Sequence, residues 1–290
     1  MTLHYFYAIT MSTATKRSRR TSNGDDRETP TRALTDIAYI LQHFRSSLLN
    51  TTNNTHDDNN NNKTNDVPTE RKKDFLQLYD PYYCQGTIIK RLASVGFPST
   101  INQDVDFYNT ISEAKIPLHD VVLTNPPYSG DHIQRAFSFV TSKKQIMMKR
   151  PWAMLLPTNV YLRQWYPSSS SSSSPSNVLY LCPHQKYSFQ IDTLKNNDEK
   201  KDEKNEEEEA SHHTPYHTMW YIGGLSEEMK MKIVNGWDEC ELRHTCTLAS
   251  TVDELPRRIR KVARYSNKTG SKSKKEKKMK KGKKKKRQKR

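Results

Sequence analysis

Cysteine is scarce in this sequence: four residues in 290, at Cys84, Cys182, Cys240 and Cys246, with no C-x-x-C pair among them. That excludes a disulfide scaffold and a zinc ribbon, and fits a reducing compartment. Apolar residues are also few. They make up 33% of the chain, the mean hydropathy is −0.96, and no run approaches the 18 apolar residues of a membrane-spanning helix. A folded part must therefore be diluted by long polar segments. Acidic residues are absent before Asp25, while Lys16, Arg17, Arg19 and Arg20 form a basic cluster there. Residues 1–30 read as a disordered basic leader, with a mitochondrial transit peptide as the alternative.

What is abundant is positive charge, and it is unevenly placed. The net charge is +16, and the last twenty residues hold 14 Lys or Arg against one Glu. Residues 266–290 read as a disordered lysine-rich tail on a nearly neutral body. Such a tail attracts nucleic acid by releasing condensed counterions, without reading sequence, and also fits a nuclear or nucleolar address. Just before it, Thr251-Val252-Asp253-Glu254 has the form of a capping box. It leads a basic helix carrying Arg257, Arg258, Arg260, Lys261 and Arg264, so residues 241–265 form a C-terminal basic helix region.

Between the ends, Leu34, Ile37, Leu41, Phe44 and Leu48 mark an amphipathic helix over residues 31–50. It is expected to pack on the main domain, with a protein partner as the alternative. Residues 51–70 are an Asn-rich linker. A main domain spans residues 71–240. It is interrupted by low-complexity insertions at 168–176, which is serine-rich, and at 193–213, where eight acids and three lysines crowd into 198–209.

Within that domain, strands are expected at 75–79, 100–102, 121–124, 152–156, 178–181 and 218–222. Helical segments are expected at 87–95, 109–114 and 132–141, with Ile88, Ile89, Leu92 and Val95 buried on the first. Alternation of this kind predicts an α/β fold: a Rossmann-like, mostly parallel sheet with helices on both faces. Ligands in such sheets sit beyond the carboxyl ends of the strands, where two segments of interest fall.

The first is Asp80-Pro81-Tyr82-Tyr83-Cys84-Gln85-Gly86. An acid at a strand end can hold a cationic or hydroxylated group; glycine permits close approach to the backbone at a helix start. The second is Asp120-Val121-Val122-Leu123-Thr124-Asn125-Pro126-Pro127-Tyr128. Pro126 and Pro127 remove two N–H donors, and Asn125 is pushed to extended geometry by the proline after it. The Asn125 side-chain carbonyl and the Pro126 carbonyl can then accept the two N–H groups of one exocyclic amine, with Tyr128 offering a ring for a base. The amine lone pair then points toward an electrophile.

Asn125-Pro126-Pro127-Tyr128 after Val122-Leu123-Thr124 resembles the NPPY-type amino-methyltransferases among the class I S-adenosylmethionine-dependent methyltransferases. That group includes adenine-specific DNA methylases, RNA amino-methyltransferases and enzymes acting on glutamine side chains. The resemblance implies S-adenosyl-L-methionine as cofactor. Asp80, Tyr82, Cys84 and Gly86 correspond to the family's cofactor loop, with Cys84 standing where the family has its first glycine. Asp106-Phe107 is similar to the pair that contacts the cofactor adenine. Only about twenty residues separate Ile101 from Val121, so a strand or helix is expected to be missing there, and Asn102 or Asp104 could meet the ribose instead. Asn125 and Pro126 would hold the target amine, Pro127 would fix the loop, and Tyr128 would stack.

The implied function is methylation of a base amine, adenine first, in nucleic acid reached through a core cleft and the tail. The competing expectations are an inactive RNA-binding scaffold and a glutamine methyltransferase. Downstream, aromatic and basic residues at 182–189 and 216–221 read either as a base-binding surface or as core. His212, His213, His217 and His244 with Cys240 and Cys246 match no zinc spacing, so no metal is expected.

Overall fold

A computed structural model describes residues 28–53, 75–167, 178–189 and 217–267. Most of the expected leader, the linker beyond residue 53, the insertions at 168–176 and 193–213, and the tail from residue 268 lie outside the described residues.

Among the described residues seven strands form one sheet: β1 (Leu78–Tyr79), β2 (Thr100–Ile101), β3 (Val121–Thr124), β4 (Trp152–Pro157), β5 (Leu179–Pro183), β6 (Thr218–Gly223) and β7 (Cys246–Ala249). Their order is β2-β1-β3-β4-β6-β5-β7. The β2-β1-β3-β4 half is parallel. Strand β6 lies antiparallel between β4 and β5, and β7 pairs antiparallel with β5. The expected α/β class holds, but the sheet is mixed. Strands β3, β4, β5 and β6 are buried along their whole length. A strand covered on both faces carries no periodicity from which its direction can be read.

Alternate residues feed two cores. Leu78, Val121, Leu123, Ala153, Leu155, Trp220 and Ile222 face helices α1 (Thr31–Asn53), α2 (Thr87–Ser94) and α6 (Glu227–Asn235). Tyr79, Val122, Trp152, Met154, Leu156 and Tyr221 face α3 (Phe107–Ser112), α4 (His132–Val140) and a helix over 257–267. A short α5 (Lys143–Met147) follows α4.

The stripe on α1 is spent inside the molecule. Leu34, Ile37, Ile40, Leu41 and Phe44 are each at most 1% exposed, and Trp220 Nε1 donates to Ala33 O at 3.0 Å. Phe44→Ala is expected to cost about 3–5 kcal/mol, the range for truncating a buried aromatic ring. Urea denaturation checks this; an unchanged midpoint would mean the stripe is not core.

Other expectations shift by small amounts. The first strand is only Leu78–Tyr79, with Phe75 55% exposed, and Ile89 lies on the solvent side of α2. Helices α5 and α6 and strand β7 were not expected. On α6 only Ile233 is buried, too weak a stripe to register. The interval from β2 to β3 holds the six-residue α3 and no strand.

Candidate active site

From β1 the chain moves outward to β2, then crosses back past β1 to reach β3 on its other side. The gap between β1 and β3 is therefore a topological switch point, where a crevice opens at the carboxyl ends of parallel strands. Asp80 follows β1 there and Asn125 follows β3.

The structure joins the two segments directly. Thr124, the last residue of β3, donates its hydroxyl to Asp80 Oδ1 at 2.6 Å. The Tyr82 N–H donates to the same oxygen at 3.2 Å. Asp80 is only 5% exposed. Its burial, with a smaller contribution from the Glu28 carboxylate, pushes its carboxyl up to about 7, against the stabilising effect of those two hydrogen bonds.

Glu28 belongs to this site although sequence reading placed it in a leader. It is 7% exposed, and its Oε1 accepts from the Gln85 N–H at 2.8 Å. Its neighbour Thr29 is 5% exposed and accepts through its carbonyl from Arg91 Nη1 at 2.7 Å. Residues 28–30 thus seat α1 against the 80–86 loop, a correction to the boundary expected at residue 30. A lone glutamate 57 positions from its partner carries no sequence signal.

Asn102, just past β2, is the polar residue the fold delivers to the same loop. Its Nδ2 donates to Asp80 O at 3.1 Å and lies 3.4 Å from Tyr82 O. Its Oδ1 is buried without a hydrogen-bond partner, as is Thr87 Oγ1 at the start of α2. Gly86 has φ +75°, a left-handed conformation that strains any residue with a Cβ, and the Tyr83 ring lies close over it. Cys84 is half-buried beside it.

Asp106 and Asp104 are exposed. Asp106 caps α3, its Oδ1 accepting from the Tyr108 and Asn109 N–H groups at 2.8 and 3.1 Å. Phe107 is buried, its ring 5.2 Å from Tyr82 and 5.1 Å from Phe139. The short β2–β3 interval explains this: the pair must start the only helix available. Of the alternatives, Asn102 is the residue brought beside Asp80.

In the second segment Pro126 is buried, while Asn125, Pro127 and Tyr128 are half-buried. The Tyr128 hydroxyl donates to Asn125 Oδ1 at 2.7 Å and lies 3.1 Å from Leu155 O on β4. Tyr128, expected only as a stacking face, is thereby also a brace for the Asn125 amide.

A second bonded group ties the two loops together. The Tyr82 and Tyr108 hydroxyls are 3.0 Å apart, Tyr108 OH is bonded to His132 Nδ1, and Arg135 lies 3.2 Å above the Tyr108 ring. His132 opens α4, which follows Tyr128 by a short turn. Tyr108, His132 and Arg135 come from two different helices and form no local motif, so sequence reading missed them.

Further along the same edge, Thr158 N–H donates to His217 O at 2.8 Å. Asn159 Oδ1, His217 Nδ1 and Thr218 Oγ1 are buried without partners. Burial holds the His217 imidazole below its usual pKa, and the charges of Lys186 and Arg258 act the same way. Tyr187, Phe189, Met219, Trp220 and Tyr221 are core, which decides most of 182–189 and 216–221 in favour of packing; Tyr216 lies outside the described residues. Among the described residues no three His, Cys, Asp or Glu side chains converge.

No family model, curated protein or solved structure matches the chain.

Proposed function

We propose that the chain is an S-adenosylmethionine-dependent N-methyltransferase with a Rossmann-like core, acting on an exocyclic amine of a nucleic-acid base, adenine first. One observation carries the reading. Asp80 and Asn125 arise in separate segments yet both follow strands at the β1–β3 switch point, and the Thr124 side chain, next to Asn125, bonds Asp80.

The residues at that edge fit the cofactor. Asp80 and Glu28 place two buried carboxylates where a cationic ligand would relieve them. Asn102 Oδ1 is a buried acceptor in want of a donor such as a ribose hydroxyl. When bound, the cofactor supplies an activated methyl group. The protein's part is positioning. Asn125 and the Pro126 carbonyl accept the amine N–H groups, and Tyr128 braces the Asn125 amide while offering its ring to the base. A base within a duplex must first be turned out of the stack. The lysine-rich tail supports a nucleic-acid substrate and a nuclear or nucleolar location.

Tyr128→Phe keeps the ring and removes the brace. A neutral hydrogen bond is worth about 1 kcal/mol, so kcat is expected to fall about fivefold to tenfold with cofactor affinity unchanged. Steady-state kinetics check this; an unchanged kcat would remove the brace from the mechanism.

A second reading, a methyltransferase-like scaffold that binds RNA without catalysis, is favoured by Cys84 and by the Tyr83 ring lying over Gly86. Two measurements separate the readings: binding of labelled S-adenosylmethionine, and label transfer to total RNA, DNA and protein followed by nucleoside and amino-acid analysis. Label in a methylated adenine supports the proposal. Label in glutamine moves the substrate to protein, and absence of cofactor binding ends the enzyme reading.

A further inference from the structure

Resting on the nucleic-acid reading above, we infer that the helix over 257–267, with Lys186, is a fixed phosphate-backbone track that leads the substrate strand across the sheet edge to Asn125. Three features place it there. Leu255, Ile259 and Ala263 are each at most 1% exposed, so the helix is packed onto the domain along one side. Arg257, Arg258, Lys261 and Arg264 are exposed, and Arg260 is half-buried. Arg258 Nη2 donates to His184 O at 2.8 Å, at the carboxyl end of β5, which fixes the helix start to the edge that carries Asn125.

The charge of this helix reaches along that edge. Arg260 and Arg264 act electrostatically on Tyr161, in the turn after β4, and Arg258 and Lys186 on His217, before β6. Among the described residues, two acids next to the helix are engaged. Asp253 pairs with Arg260 at 3.4 Å, and Glu254 accepts from Ser250 N–H and Thr251 OH at 2.7 and 3.0 Å. Arg260 Nε remains buried without a partner. The helix thus presents its exposed cations on a packed support, with Arg258 bonded at a strand end.

The spacing suits a single strand. Sheet order puts three strand intervals between β3 and β5, about 14 Å at roughly 4.8 Å each. At about 3.4 Å per stacked nucleotide, that is about four nucleotides between the base held at Asn125 and the backbone held at Arg258. The chain then continues from residue 267 directly into its lysine-rich end, so the helix gives a nonspecific grip a defined exit point.

The test uses the full chain with fluorescently labelled single-stranded RNA and DNA oligonucleotides, measured by anisotropy across a salt series. R258Q/R260Q/R264Q is compared with R258K/R260K/R264K, which keeps the charge and controls for folding. Three lost phosphate contacts on a single strand should flatten the slope of log K against log salt by about 2, with the lysine variant near wild type. Cross-linking from single 4-thiouridine positions should label peptides of 257–267. An unchanged slope, cross-links confined to 268–290, or no binding to either polymer would overturn the track. Labelled-cofactor binding in the same samples tells the two ideas apart. A flattened slope without cofactor binding keeps the track and ends the methyltransferase reading; cofactor binding with an unchanged slope does the reverse.

Discussion

Asn125→Ala is expected to lower methyl transfer by about 100-fold to 1,000-fold, the cost of removing one preorganised polar contact to a reacting group, while leaving cofactor affinity intact. The separation follows from the fold. Asn125 sits one residue beyond the Thr124–Asp80 bond, and neither that bond nor the Asn102–Asp80 bond uses its side chain. Its known partner Tyr128 keeps Leu155 O as an acceptor within 3.1 Å, so the loop retains its anchor on β4. The decisive measurement is a pairing of single-turnover rate with equilibrium binding of labelled cofactor. Equal losses in both would contradict the role given to Asn125. The effect should also exceed that of Tyr128→Phe, because in the proposed mechanism Tyr128 only orients the amide whereas Asn125 itself accepts from the amine.

Asp80→Asn is expected to have two opposite effects. In the folded protein without cofactor, the Asp80 carboxyl titrates near 7, against 3.8 for an ordinary aspartate. Well below pH 4 both folded and unfolded chains hold the proton, and the group contributes nothing to pH dependence. Between about 4 and 7 the folded chain holds a proton that the unfolded chain has released, so stability falls as pH rises. Above 7 the penalty levels off at roughly 4 kcal/mol, taking about 1.4 kcal/mol per pH unit. The asparagine variant should therefore be more stable than wild type to urea at pH 8 and similar to it at pH 4. It should bind S-adenosylmethionine much more weakly, since the cationic ligand loses its counter-charge. In wild type, cofactor binding should strengthen as pH rises through 7 and release a proton, seen as a buffer-dependent heat in calorimetry. Binding that is independent of pH, with no proton released, would mean the ligand does not sit beside Asp80.

Much of this site could be read from local chemistry. Strand β3 and the loop after it were legible because four apolar or β-branched residues are followed, after Asn125, by two prolines, which remove donors and fix dihedrals whatever surrounds them. Gly86 was legible because a turn into a helix favours a residue that tolerates positive φ. Helix α1 was legible from its stripe, and its end at Asn53 rather than residue 50 is the usual uncertainty of helix termini.

What was not legible depended on distance. Glu28 lies 57 residues from the backbone it bonds, and Arg258 lies 74 residues from His184. The direction of β6 was hidden because a strand covered on both faces looks the same in either orientation. That Asp106 caps α3 was not legible, because an acid before an aromatic residue looks alike at a pocket and at a helix start; the short β2–β3 connection puts it at the start of that helix. By itself the sequence determined the α/β class, the helix α1, the two loops and the polycationic end, since periodicity, proline, glycine and charge act within a few residues. The tertiary structure alone decided that Asp80 is shared with Thr124 and Glu28, that Asn102 rather than Asp106 meets the 80–86 loop, and that the basic helix lies on the edge carrying Asn125. These are consequences of strand order, and strand order is set by the burial of both sheet faces at once, a global condition that no local window contains.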